Sequence, residues 1–402
     1  MICRPGFGLA PLAVLALCVG VCGGADRAIF SSQAATRPAG MQNALLVYIG
    51  TYTAPKSASK GIYLYEMDAA SGRLSERGLA GESDNPSFLA FHPGRRFLYA
   101  VNEVGEFAGA KTGAVSAFAV DPASGKLSLL NQQPSGGAGP CFVTVDATGR
   151  YALVANYVGG SFAVLPIGPD GRLRAPSSII QHKAPDGEPR KKPHGHSIHL
   201  DAGQKVAFAV DLGLDKVCLY GFRAADGALL PHDPAFASMA AGAGPRHFVW
   251  HPSGRLAYVI NELSSTMTAF SYDSDRGFLE ELQTLPTVPA GFAGQNSCAE
   301  VQVHPSGRFL YGSNRGHDSI AVFAIDGQTG RLKPLGHEST RGKTPRNFAI
   351  DPTGAYLLVA NQDSDTVVVF DIAVQTGLLK YAGVTIEVPA PACVRFLAAP
   401  GS

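Results

Sequence analysis

The sequence predicts an all-β protein, a seven-bladed β-propeller of four-stranded antiparallel blades, its ring closed by a blade shared between the N- and C-terminal strands. Three observations predict it. A unit recurs at intervals of roughly fifty residues, starting at Pro86, Pro140, Gly195, Pro245, Cys298 and Pro345. Each unit carries the same succession of strand and turn signals. The two ends of the chain hold complementary fragments of one further unit.

The chain opens on a targeting signal. Arg4 supplies a positive start, Leu9 to Val21 is apolar, and Cys22-Gly23-Gly24-Ala25 ends it with residues small enough for a signal peptidase. This run is too short to span a bilayer comfortably. Residues 1–25 therefore read as a signal peptide, 26–42 as a polar linker and 43–402 as one propeller domain. Export, most simply to the periplasm, follows, with no stable membrane association once the leader is removed. Leu17 and Val21 precede Cys18 and Cys22 where a small residue is wanted, which argues against a lipid anchor.

The unit at Pro245 displays the repeat in full. Arg246 to Trp250 is a short apolar-rich strand, His251-Pro252-Ser253-Gly254 carries turn chemistry, and Leu256 to Ile260 is a second strand rich in β-branched and aromatic residues. The same pattern returns in Phe91-His92-Pro93-Gly94 before Phe97 to Glu103, and in Val303-His304-Pro305-Ser306-Gly307 before Phe309 to Arg315. A third strand such as Ser319 to Ile325 follows, and a Gly-x-Leu turn such as Gly330-Arg331-Leu332 opens the fourth. Leu45 to Tyr52 matches a second strand with no first strand before it. Pro391 to Leu397 supplies the missing strand from the other end, which removes the exposed sheet edges.

Composition narrows the function classes. With 402 residues, 46% of them hydrophobic, and a formal net charge of +1, the chain has ample core and no basic run suited to a nucleic-acid backbone. Past the leader, Cys141, Cys218, Cys298 and Cys393 fall in separate repeats. They read as buried free thiols rather than a disulfide framework or a metal site.

Antiparallel pairing fixes which polar residues meet. The start of a first strand and the end of a second emerge at the same sheet edge, so Arg246 and Glu262 should lie side by side. If the first strands line the central channel, one mouth collects His196, Arg246, His247, Glu262, Glu300, Arg315 and Arg346, with Glu103 and Tyr157 at the ends of other second strands. His92, His251 and His304 belong to turns on the opposite face. His194, His196 and His199 have an HxHxxH look without a nearby acidic partner, so no metal is expected. The basic stretch His182 to Lys192, with Lys183, Arg190, Lys191 and Lys192, reads most simply as a solvated insertion that can close over an anionic substrate. The plain alternative for Arg246 and Glu262 is a simple salt bridge at the channel mouth.

Five motifs, taken in order, carry a resemblance. Pro193-His194-Gly195-His196-Ser197, Gly244-Pro245-Arg246-His247-Phe248, Asn261-Glu262-Leu263, Ala299-Glu300-Val301 and Ser313-Asn314-Arg315-Gly316 resemble the seven-bladed propeller lactonases, which include 6-phosphogluconolactonases and are related to carboxy-muconate cyclases. The resemblance covers essentially residues 45 to 400. It implies hydrolysis of a small-molecule sugar lactone without metal or cofactor, with His196, Arg246, Glu262 and Arg315 as catalytic residues. His194, His247, Glu300, Arg346, Tyr157 and Glu103 would then contact substrate. Arginines can stabilise the oxyanion that forms as water adds to the carbonyl. Either Glu262 or His196 can act as base, the other donating to the departing ring oxygen. The resemblance implies 6-phosphogluconolactone or a related aldonolactone as substrate, and the leader, which departs from the family's cytosolic setting, adds an unphosphorylated aldonolactone or another small lactone to the candidates. A lactone cycloisomerase or a non-catalytic binding propeller would use the same mouth.

Overall fold

In the computed structural model, the described residues are 44–53, 57–184, 188 and 191–398. The expected signal peptide and linker lie outside them. Seven four-stranded sheets are present, all pairings within them antiparallel. Six are formed by consecutive strands, and the seventh joins Pro391–Ala398 to Ala44–Thr51. Tyr48 sits opposite Arg395 and Leu45 opposite Ala398, so the last strand of the chain lies beside the first and the ring is closed as the end fragments predict. Among the described residues, no helix is long and apolar enough to cross a membrane.

Burial explains the strand sequences. Second strands such as Leu256–Asn261 and Tyr356–Asn361 are buried along their whole length, because blades cover both their faces, and they are accordingly apolar up to the closing asparagine. Outer strands such as Leu379–Glu387 show buried or half-buried positions broken by exposed ones, and Lys380, Thr385 and Glu387 stand at the latter. Each fully buried Phe or Tyr contributes about 1.5–3 kcal/mol of apolar burial, and Phe118, Phe162, Phe208, Phe270, Phe323, Phe348 and Phe370 are all at most 1% exposed.

Recurrent motif residues join blade to blade. The buried second-strand tyrosines Tyr48, Tyr99, Tyr258 and Tyr311 donate their hydroxyls to the carbonyls of Gly125, Gly171, Gly330 and Gly377 in the following blade. These are the glycines of the Gly-x-Leu turns. Gly171 has φ +81°, and a Cβ there would stand 2.3 Å from the Phe97 ring, so only glycine fits. On the other face, the turn histidines His92, His251 and His304 contact the carbonyls of Gly149, Gly307 and Gly354 of the next blade through Nε2. They tie the ring together away from the arginine-lined mouth. Cys141, Cys218, Cys298 and Cys393 are buried free thiols.

Candidate active site

The mouth is built from irregularities in the first strands. In Pro245–Trp250, Pro245 pairs with Asn261 but His247 pairs with Ile260, leaving Arg246 as an extra residue. The same shift isolates Cys141, His196 and Arg346, and a longer one spans Ala299 and Glu300. These are β-bulges, which re-aim a side chain that strict alternation would send to the other face. Arg246 and His247, adjacent in sequence, can therefore both face the channel, and Arg246 Nη1 lies 3.4 Å from His247 Nε2.

The upper layer centres on Glu262. Its Oε2 is 2.8 Å from Arg246 Nε and 3.0 Å from Arg315 Nη2. Arg246 is 2% exposed and also donates to the Ala299 carbonyl, while Arg315 donates to the Cys298 carbonyl. Among the described residues, Oε1 of Glu262 accepts no hydrogen bond, and the side chain keeps 18% of its surface open to the mouth. Burial alone would raise the Glu262 carboxyl, but Arg246, Arg315 and Arg346 outweigh it and hold the group below the usual carboxylate range. Burial, helped by Arg315 and opposed by Glu262, brings Arg246 down to about 10, which leaves it cationic at neutral pH.

His196 completes this layer. Burial, together with Arg246, His247 and Arg346, keeps its imidazole neutral well below the ordinary histidine range. Its Nδ1 is 3.7 Å from Cys141 Sγ, and its ring meets the edges of Tyr157 at 5.4 Å and His247 at 5.2 Å. His194 stacks on Tyr157 at 4.6 Å, with Nδ1 3.0 Å from the Tyr157 carbonyl. Across the mouth, Arg346 lies 4.0 Å from Glu103 and over the Tyr52 ring, and Tyr52 donates to Glu103 at 2.7 Å. Ser87 donates to the same Glu103 oxygen.

A second layer seals the channel beneath. His247 Nδ1 is 3.2 Å from Glu300 Oε1, and Asn347 donates to Glu300 Oε2. Phe88 packs on Phe142 at 4.4 Å, and both present edges to His247. Burial pushes His247 down to about 4 despite Glu300. Glu300 itself stays below the carboxylate range because His247, Arg395 and Arg246 outweigh its burial. Ser87, Phe88, Cys141, Arg246, His247, Arg346, Asn347 and Ala392 enclose a space of about 10 Å³ for a water's centre, enough for roughly one water.

The structure thus brings together all the sequence-predicted residues, in two layers rather than one. His196, Arg246, Glu262, Arg315, Arg346, Glu103, Tyr157 and His194 surround the opening, whereas His247 and Glu300 lie in the floor. His199, farther along the same strand as His196, lies against Phe142 and Phe248, and no group of three or more His, Cys, Asp or Glu among the described residues is arranged to hold a metal ion. The stretch beginning at His182 is not simply solvated: His182 is 7% exposed and 2.6 Å from Asp211. Sequence reasoning missed Tyr52. It occupies in the split blade the position Glu262 holds in its own, and aligning Thr51-Tyr52 with Asn261-Glu262 would have found it.

A closed seven-bladed propeller with a carboxylate held between two arginines, beside a neutral buried histidine, has the groups needed for polar catalysis at a carbonyl. Residues 46–396 match the family described as Lactonase, 7-bladed beta-propeller. The chain belongs to that family, and with it to the lactone hydrolases. It is 38% identical to a 6-phosphogluconolactonase of Bacillus subtilis over 352 residues, 87% of this chain and 97% of that one. A 6-phosphogluconolactonase of Formosa agariphila is 33% identical, over 76% of this chain and 86% of its own. The structure of the Pseudomonas aeruginosa periplasmic gluconolactonase PpgL superposes with a TM-score of 0.83 at 36% identity, covering 89% of this chain and all of that one.

Proposed function

We propose that this protein hydrolyses an unphosphorylated sugar lactone to the open-chain acid, outside the cytoplasm. The observation that carries the hydrolysis is the Arg246–Glu262–Arg315 cluster. Arg246 and Arg315 hold one oxygen of Glu262, and its side chain stays 18% exposed. Glu262 takes a proton from water as its oxygen adds to the lactone carbonyl, and the two guanidiniums stabilise the oxyanion. When the ring C–O bond breaks, that proton passes to the ring oxygen, while neutral His196 steadies it with an N–H hydrogen bond. The sum is one lactone plus one water giving one hydroxy acid.

The charge balance favours a neutral substrate. Arg246 and Arg315 share Glu262, and Arg346 faces Glu103, so every guanidinium at the mouth already has a carboxylate. A phosphate dianion would compete with these carboxylates. The apolar leader with its small-residue end supports export, and the likeness to a periplasmic gluconolactonase agrees with it. Turnover in isotopically labelled water tests the reaction class: a hydrolase places one solvent oxygen in each product carboxylate. Product made without solvent oxygen would identify a cycloisomerase instead.

A further inference from the structure

At the end of their second strands, five blades carry an asparagine: Asn102, Asn156, Asn261, Asn314 and Asn361. Four of these tie their blade to the residue that follows the outer strand of the preceding one. Asn102 Nδ2 donates to Ser83 Oγ at 3.0 Å, Asn156 to the Ser135 carbonyl at 3.0 Å, Asn314 to the Thr287 carbonyl at 2.6 Å and Asn361 to the Thr340 carbonyl at 3.0 Å. At one joint the two positions hold Asp211 and His182 instead. Of all the joints, it alone has an ionisable side chain at both places, and it adjoins the blade that begins with Gly195-His196.

Its geometry differs as well. Asp211 is fully buried, with Oδ2 2.6 Å from His182 Nδ1, and His182 Nε2 is 2.8 Å from the Tyr220 hydroxyl. The other oxygen, Oδ1, accepts from His194 N at 2.9 Å and Leu214 N at 3.1 Å. An asparagine has one acceptor oxygen and would have to donate across the joint, as Asn156 does, whereas a carboxylate accepts on both sides and its charge strengthens each bond. Asp211 pairs with Gly195, directly before the bulge that turns His196 into the mouth. The chain is closely held here: a Cβ on Gly213 would stand 1.8 Å from the Lys192 carbonyl.

We infer that the buried Asp211–His182 pair, braced by Tyr220, is a positioning device that fixes the His194-Gly195-His196 segment, and through the His194–Tyr157 stack the orientation of the His196 ring. It replaces a joint that elsewhere only holds blades together. The inference rests on the reading of His196 as part of the lactonase site. Asp211 and His182 touch no substrate; they act through His196. Misplacing a reacting group by about an ångström costs on the order of a hundredfold in rate.

The test is the double variant His182→Ser with Asp211→Asn, which rebuilds the Ser135–Asn156 joint of the preceding blade and so should keep the fold. The expected result is a fall in kcat on gluconolactone of about tenfold or more, with KM within about twofold and a melting temperature close to that of the parent. A kcat within about twofold of the parent's would overturn the inference. A second readout does not depend on turnover: the His196 ring resonances, assigned with His196→Gln, should shift in the double variant. Unchanged resonances would reduce the pair to blade adhesion even if no lactone were hydrolysed, which separates this failure from failure of the lactonase reading.

Discussion

Glu262→Gln is the most informative single change. The substitution is nearly isosteric, so it removes charge and basicity without opening a cavity. Among the described residues, Glu262 is the one carboxylate within 3.0 Å of both Arg246 and Arg315. The amide oxygen can take the place of Oε2 between the two arginines, but the amide carries no charge and cannot take a proton from water, and a lost general base costs about 10²–10⁴ in rate. At 1.36 kcal/mol per tenfold, that is roughly 3–5 kcal/mol of transition-state stabilisation. Stability should fall too, because Arg246, at 2% exposure, loses its main compensation beside Arg315. Breaking a buried pair costs about 3–5 kcal/mol, and the partial exposure of Glu262 places this one at or below the lower end. The assay is initial-rate hydrolysis of gluconolactone with spontaneous opening subtracted, beside thermal melting at the same pH. A kcat within about threefold of the parent's, in a folded variant, would refute Glu262 as base.

Activity and stability should separate with pH. Because Glu262 is held below the carboxylate range, kcat should stay level from neutral pH downward and fall only as Glu262 is protonated. His247, lowered from 6.5 to about 4, binds a proton in the unfolded chain before it does in the folded one. Its contribution to stability is present above pH 6.5 and lost as the pH falls from there towards 4, with buried His196 and His199 adding the same sign. Melting temperature should therefore decline across that window while kcat holds, and a kcat that fell together with the melting temperature across it would contradict Glu262 as the base. As a control, Tyr258→Phe removes the hydroxyl that bonds the Gly330 carbonyl and leaves that acceptor unpaired. It should lower stability by about 1–3 kcal/mol and leave kcat and KM unchanged.

The fold was legible because its determinants are local and repeated. Gly-x-Leu turns, His-Pro-Ser-Gly turns and strands buried on both faces recur in register, and the end fragments complete each other. The Arg246–Glu262 contact was legible for the same reason, since antiparallel pairing alone brings a strand start beside a strand end. The layering was not. A bulge at Arg246 or His196 leaves no sequence mark, so adjacent residues such as Arg246 and His247 read as belonging to one ring. The structure instead puts His247 and Glu300 in a sealed floor that braces the arginines. Tyr52 was hidden because its blade is split between the termini. Asp211 was hidden because its meaning lies in contrast with Asn156 and Asn314, and only the observed contact with His182 gives that contrast a consequence.

The measurement that tests the central claim most directly is kcat/KM for gluconolactone and for 6-phosphogluconolactone, using purified protein without residues 1–25 and with spontaneous opening subtracted. The mouth, with each arginine already facing a carboxylate, predicts enzymatic turnover with preference for the unphosphorylated lactone. A clear preference for the phosphorylated substrate, or turnover of neither above the spontaneous rate, would contradict the account.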